Sequence, residues 1–152
     1  MSQFLGTHLN RLDAKGRVSV PAPFRAALRT LSESGVVVLR PSHNHPCIEA
    51  WPEPVFQSLA TPLDRLDLFG EAHDSFAVAL YADAFPVEPD REGRIVLPEK
   101  LVAHAGLSEQ VEFMGLGRIF QIWRPEAAER RRSEARERLR TGGMTLPAAG
   151  AA

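Results

Sequence analysis

The sequence predicts an α+β protein made of two copies of one unit, and three observations carry that prediction. The first is a stretch that occurs twice, as Leu12-Asp13-Ala14-Lys15-Gly16-Arg17-Val18-Ser19-Val20-Pro21 and as Pro89-Asp90-Arg91-Glu92-Gly93-Arg94-Ile95-Val96-Leu97-Pro98. Asp, Gly, Arg and Pro recur at a constant offset of 77 residues, with apolar residues at matched places between them. Such self-similarity is the signature of an internal repeat. The second observation is a switch of period, from alternation in Val18–Val20 and Ile95–Leu97 to helical spacing after each proline. The third is that each half runs on to a tryptophan, Trp51 and Trp123, 72 residues apart, so the second copy has a loop five residues shorter.

The repeated unit reads as strand, Asp-x-x-Gly-Arg turn, strand, proline, helix. Ala14-Lys15-Gly16 and Arg91-Glu92-Gly93 are turn material, with glycine free to take a positive φ. Asp13 and Asp90 open the turns, and their carboxylates can accept backbone N–H groups two residues on. Val18, Val20, Ile95 and Leu97 alternate with Ser19 and Val96, as in a strand with one buried face. Pro21 and Pro98 end these strands where a helix can begin.

In chain order, residues 4–12 read as a first strand interrupted by Gly6. Residues 21–31 form an amphipathic helix, because Phe24, Ala27, Leu28 and Leu31 fall at i, i+3, i+4 and i+7. Residues 36–39 and 47–51 are strands flanking the polar loop 40–46. Helices follow over 52–59, from Thr61 through Phe69, and along the stripe Ala72, Phe76, Ala79 and Leu80. The second copy repeats the order: a short helix at Leu101, Val102 and Ala105 closed by Gly106, then strands over 111–115 and 119–123. A charged helix, 125–140, reads as a solvated outer element with pairs such as Glu134 and Arg138 at i,i+4. The chain thus divides into a first repeat over 4–52, a helical connection over 53–82, a second repeat over 83–124, the charged helix 125–140 and a flexible tail over 141–152.

Bulk properties narrow the function. The 152 residues can bury a real core, and 44% hydrophobic with 24% charged residues is ordinary for a soluble protein. A net charge of −1 excludes a uniformly basic nucleic-acid binder, so any DNA-binding surface must be a local concentration of cations. The single cysteine, Cys47, forbids an intramolecular disulfide and fits a reducing compartment. No apolar run suits a signal peptide or a membrane span, so the expected location is cytoplasmic and the expected partners exclude a membrane.

Taken alone, one Asp-x-x-Gly-Arg turn is most simply a hairpin fastener in which Asp13 pairs with Arg17. Two copies with a cation at or near the tip, Lys15 and Arg91, change the reading. A two-stranded ribbon carrying Arg and Lys fits a DNA major groove, where arginine reaches guanine O6 and N7. Glu92 opposes phosphate contact, so the first turn is expected to carry more of the binding. His43, His45 and Cys47 alternate and could share a face as metal ligands, but Pro46 interrupts the strand and the second copy lacks the set. The reading is no metal and no cofactor. His8, His73 and His104 are scattered, and the run Arg130-Arg131-Arg132 is interleaved with glutamates as on a solvated helix face. No nucleophile with a base, phosphate-cradling loop or catalytic carboxylate pair stands out, which points away from an enzyme.

The opening Phe4-Leu5-Gly6, the stretch from Leu12 to Pro21, the second Asp90-x-x-Gly-Arg94 and the overall length resemble the MraZ family, over residues about 4–140. That resemblance implies an AbrB/SpoVT-like swapped-hairpin β-barrel, duplicated within the chain and flanked by helices. It also implies a sequence-specific, DNA-binding transcriptional regulator of the bacterial division and cell-wall gene cluster, assembled as a ring. Carried over residue by residue, it makes Lys15, Arg17 and Arg94 DNA contacts, to which Arg91 is added from its place near the tip. Asp13, Gly16, Asp90 and Gly93 shape the turns. The expected partners are double-stranded promoter DNA bearing short direct repeats and further copies of the chain, in the cytoplasm and at the nucleoid, with repression the expected sign. The alternative is an oligomeric protein-interaction scaffold whose turns are structural.

Overall fold

The computed structural model describes residues 3–150. The first half contains β1 (Thr7–Arg11), β2 (Arg17–Ser19), α1 (Ala22–Leu31), β3 (Val37–Pro41) and β4 (Ile48–Pro52). Three short helices follow: α2 (Glu53–Gln57), α3 (Ala60–Asp64) and α4 (Glu71–Ala77), the last continued by a π-helical turn, Val78–Ala82. The second half contains β5 (Phe85–Val87), β6 (Arg94–Val96), α5 (Glu99–Ala105), β7 (Gln110–Gly115) and β8 (Phe120–Trp123), and α6 (Pro125–Thr141) ends the regular structure.

The period switch appears where the sequence puts it. Pro21 and Pro98 stand at the N-caps of α1 and α5 with φ of −54° and −57°, one position before the helices begin. Phe24, Ala27 and Leu28 are buried on one face of α1. Gly106 closes α5 in the left-handed conformation, φ 61°. The first strand is shorter than residues 4–12, and Phe4 instead forms an isolated bridge to Gly117. The predicted helix from Thr61 through Phe69 stops at Asp64.

The strands form a six-stranded antiparallel sheet of order β1-β7-β8-β4-β3-β5 and a separate ribbon, β2-β6. Exchanging the halves reverses this order without changing it, so the molecule has an internal pseudo-two-fold through the β4–β8 and β2–β6 pairs. Pairing crosses between halves: β1 lies on β7, β5 on β3 and β2 on β6. Neither half completes its sheet alone. The larger sheet keeps two edges, β1 and β5, so strand pairing yields an open sheet, not the closed barrel that the family resemblance implies. Pro86 sits in the edge strand β5, where a missing N–H does least harm.

One face of the sheet, with Leu39, Ile48, Phe113 and Ile122, packs against the inner face of the ribbon and against α1 and α5. Phe4, Phe24 and Phe120 form an aromatic cluster there, with ring centroids 4.9 to 5.3 Å apart. The five-residue difference between the copies is not one loop. Cross-strand pairs Arg40–Glu49 and Met114–Gln121 correspond, so three residues are lost before the third strand and two in the following hairpin. The charged helix is also more anchored than its composition predicts. Ala128 is fully buried with Cys47, Met114 and Trp123, and Arg132 pairs with Glu112 of β7. Among the described residues Glu134 and Arg138 form no pair, whereas Arg140 and Glu137 do. No helix among the described residues is long and apolar enough to cross a membrane.

Candidate nucleic-acid interface

The two repeated turns have one geometry. Asp13 Oδ1 accepts the backbone N–H groups of Lys15 (3.0 Å) and Arg17 (2.8 Å), while its Oδ2 accepts Arg17 Nε (2.7 Å). Asp90 does the same with the N–H groups of Glu92 (2.8 Å) and Arg94 (3.0 Å) and with Arg94 Nε (3.1 Å). Gly16 and Gly93 take φ of 82° and 80° and donate their N–H to the carbonyls of Asp13 and Asp90. The N–H of Arg17 is the chief reason that the Asp13 carboxyl lies below its ordinary 3.8, and the N–H of Arg94 acts likewise on Asp90. Both carboxylates are therefore ionised at neutral pH. Each aspartate binds its arginine through Nε and not through the terminal nitrogens.

The ribbon brings the two turns into one surface. Arg17 lies opposite Val96, Val18 opposite Ile95 and Ser19 opposite Arg94. Since alternate residues face opposite sides of a strand, Val18 and Ile95 enter the core while Arg17, Ser19, Arg94 and Val96 share the outer face. Backbone bonds lock the ends symmetrically, from Val20 N–H to the Gly93 carbonyl (2.9 Å) and from Leu97 N–H to the Gly16 carbonyl (2.7 Å). The turns thus stand at opposite ends of the ribbon, roughly 13 Å apart at about 3.3 Å per residue over four residues.

Charge distinguishes the ends. Among the described residues the terminal amino groups of Arg17 have no partner, and Lys15 is exposed and unpaired. Arg94 also pairs with Glu92 (3.1 Å), which ties up one of its terminal nitrogens. Arg91 is exposed and lines a hollow with Arg25 and Arg29 of α1 and with the carboxylates of Glu88 and Asp90. These two cations were not singled out in the sequence. Arg25 lies against Gly93 and donates to the Val20 carbonyl, so it belongs to the second turn despite a separation of 68 residues. The signal for them was their i,i+4 spacing on the polar side of α1, next to the buried Phe24 and Leu28.

The alternating His43, His45 and Cys47 do not converge. His43 Nδ1 meets Arg40 Nη2 (3.2 Å), His45 packs by Trp123 with ring centroids 5.8 Å apart, and Cys47 lies in the cluster beneath α6. Burial pushes the Cys47 thiol up to about 12, which keeps it protonated and a poor ligand. Burial also lowers His45 below its ordinary value. Among the described residues no group of three or more His, Cys, Asp or Glu side chains is placed to hold a metal.

The family model described as "MraZ protein, putative antitoxin-like" matches residues 3–78 and 80–142. The transcriptional regulator MraZ of Gluconacetobacter diazotrophicus is 64% identical over 152 residues, spanning 99% of this chain and 95% of that protein. The protein of the same name from Gluconobacter oxydans is 62% identical over 143 residues, 93% of this chain and 87% of that one. That of Pelagibacter ubique is 41% identical over 143 residues, 94% and 92% of the two chains.

Proposed function

Because the chain belongs to the MraZ family and is a transcriptional regulator, we propose that it grips double-stranded DNA with the outer face of the β2–β6 ribbon and its two turns. The observation that carries this reading is the placement of Arg17 and Arg94 on one solvent-facing side of one ribbon, each oriented by its own aspartate. Lys15 and Arg17 supply most of the grip, since the first turn has no carboxylate other than Asp13. Arg94 and Arg91 add to it at the other end. A groove about 12 Å wide accepts a two-stranded ribbon, and the exposed guanidinium ends can reach base edges or phosphates.

In this reading the cross-half strand pairing is a swapped-hairpin arrangement of the AbrB type, with 53–82 linking repeats 4–52 and 83–124. The regulator acts as a homo-oligomeric ring at the nucleoid, repressing its division and cell-wall gene cluster through short direct repeats. It works as a binding protein with no catalytic step.

The test is a gel shift on the chain's own upstream DNA. Lys15→Ala with Arg17→Ala should lower affinity at least tenfold, since one good bidentate arginine contact is worth about 1–3 kcal/mol, and should leave assembly size unchanged. Retained binding contradicts the site assignment. The scaffold alternative is separated by salt: phosphate-driven association falls roughly 10³-fold or more between 50 and 200 mM for six or more contacts, whereas a protein scaffold shows no such dependence on DNA.

A further inference from the structure

The backbone of the β2–β6 ribbon has pseudo-two-fold symmetry, but the side chains on its outer face do not. At the offset of 77 residues Arg17 corresponds to Arg94, whereas Lys15 corresponds to Glu92 and Ser19 to Val96. Backbone hydrogen bonds join Gly16 with Leu97 and Val20 with Gly93. Counting by two along each strand makes Val18–Ile95 the next bonded pair, so Arg17–Val96 and Ser19–Arg94 fall between. Side chains stand closest at such non-hydrogen-bonded pairs, about 4.5 Å apart at Cα. The outer face therefore carries two unlike pairs, arginine beside valine next to the first turn and arginine beside serine next to the second.

Ile95 and Leu97 are 1% and 3% exposed and fill the core, whereas Val96 between them is 56% exposed. A lone apolar side chain on a surface is ordinary, and Ser19 shows that the same strand forms with a polar residue at this place. What sets Val96 apart is its company. It shares its face with two arginines, each bound at Nε by its own aspartate. It also stands at the end where Arg17 has no carboxylate partner but Asp13, while at the other end Glu92 holds a terminal nitrogen of Arg94 (3.1 Å). In the major groove a guanine offers arginine two acceptors, N7 and O6, and a thymine offers a C5 methyl group to apolar side chains. Successive bases lie about 3.4 Å apart along the helix axis, so an arginine and a valine paired this closely meet the same or adjoining base pairs.

We propose that Val96 reads the C5 methyl group of a thymine beside the guanine met by Arg17, so that each chain recognises its DNA site in one direction. This rests on the reading of the ribbon as the DNA-binding face. A ribbon with like ends accepts a site in either sense; one that pairs arginine with valine at one end and with serine at the other accepts only one. The opposite charges of Lys15 and Glu92 act in the same sense, since phosphates favour the first turn over the second. The experiment is a competition gel shift with the full chain and a duplex of its own upstream DNA. In one series single thymines are replaced by uracil, which removes the C5 methyl group. In the other, single guanines are replaced by 7-deazaguanine, which removes the N7 acceptor.

One uracil position should weaken binding by the unaltered chain about fourfold, the effect of one methyl group withdrawn from water. It should fall on the same or an adjoining base pair as the 7-deazaguanine whose effect Arg17→Ala abolishes. Val96→Ser, for which Ser19 is the precedent within the fold, should bind the thymine and uracil duplexes equally and keep the 7-deazaguanine effect. Val96→Ile, which retains an apolar branched side chain, should keep the preference for thymine. The proposal is overturned if no uracil position weakens binding, if Val96→Ser keeps the preference, if Val96→Ile loses it, or if the sensitive thymine lies elsewhere in the site. Each of those results leaves the ribbon as the DNA-binding face, provided that Lys15→Ala with Arg17→Ala still loses the shift. If that double variant binds as before, the reading of the ribbon falls and this inference falls with it.

Discussion

Asp13 and Asp90 each receive two backbone N–H groups and one arginine Nε, and that count governs the acid behaviour of the turns. Donors aimed at a carboxylate favour its charged form and lower its pKa. Both folded values lie below the ordinary 3.8, so the stability these groups add is fully present above 3.8 and is lost as pH falls through the lowered values. Carboxyl carbon shifts in an acid titration should give both residues midpoints under 3.8, and a midpoint at or above it contradicts the hydrogen-bonding scheme. Gly93 carries a second residue-scale constraint. A side chain there would adopt φ 80° and would also meet the Arg25 side chain within 2.5–2.8 Å, dislodging its bond to Val20. Gly106, at φ 61°, has nothing within 4 Å. Alanine at Gly106 should cost about 1 kcal/mol, the left-handed penalty alone, and at Gly93 about 2–3 kcal/mol once the Arg25 bond is added. Urea unfolding of the two variants measures the difference, and equal losses would show that Arg25 yields freely.

Among the elements, α6 is held by less than its length suggests. Seventeen residues long, it has one buried residue, Ala128, and one pair reaching the sheet, Arg132 with Glu112. Ala128→Glu forces a larger, charged side chain into a filled site, at a cost of about 2 kcal/mol or more. Hydrogen exchange should then rise along the first turns of α6 while the β2–β6 ribbon keeps its protection; unchanged exchange in α6 would show that Ala128 is not its anchor. The sequence offers Leu139 and the alanines at 127, 128 and 135 for burial without ranking them, and it is Ala128 that is buried while Leu139 stays exposed. The turns, the ribbon strands and α1 were legible because the phase of burial is written locally, as in Val18 and Val20 about Ser19 or Phe24 and Leu28 on one helical face. Alternation says which side of a strand is buried but not which strand lies beside it, so the pairing of β1 with β7 and of β5 with β3 could not be read. From the sequence Arg40 reads as part of a polar loop for a similar reason. Its burial depends on Glu49 across the hairpin, a partner that only the register reveals. Arg25 escaped because the turn it supports belongs to the other copy.

For the molecule as a whole, the governing quantity is a net charge of −1 over 152 residues. The first turn holds two cations against one carboxylate, and the second holds two against two. Even with Arg25 and Arg29 beside the second turn, one chain offers only a small basic surface on a neutral body, which under the proposed reading makes a weak DNA ligand. Joining copies changes the arithmetic, because each binding event after the first becomes intramolecular and avidity can exceed single-site affinity by about 10²–10⁴. A head-to-tail ring presents every ribbon in the same sense, which matches direct repeats in DNA, whereas a two-fold dimer matches palindromes. Repeats about 10 bp apart keep successive sites on one face of the duplex. Scrambling all but one repeat in the upstream DNA should therefore cost far more than the proportion of sites removed, with affinity falling toward that of a single ribbon. Inverting alternate repeats should do nearly the same, since it preserves every site but breaks the common sense in which the ribbons meet them. A loss merely proportional to the sites removed, or a monomeric form that holds the tandem DNA as tightly as the assembly, would mean that one ribbon suffices and that assembly has no part in recognition.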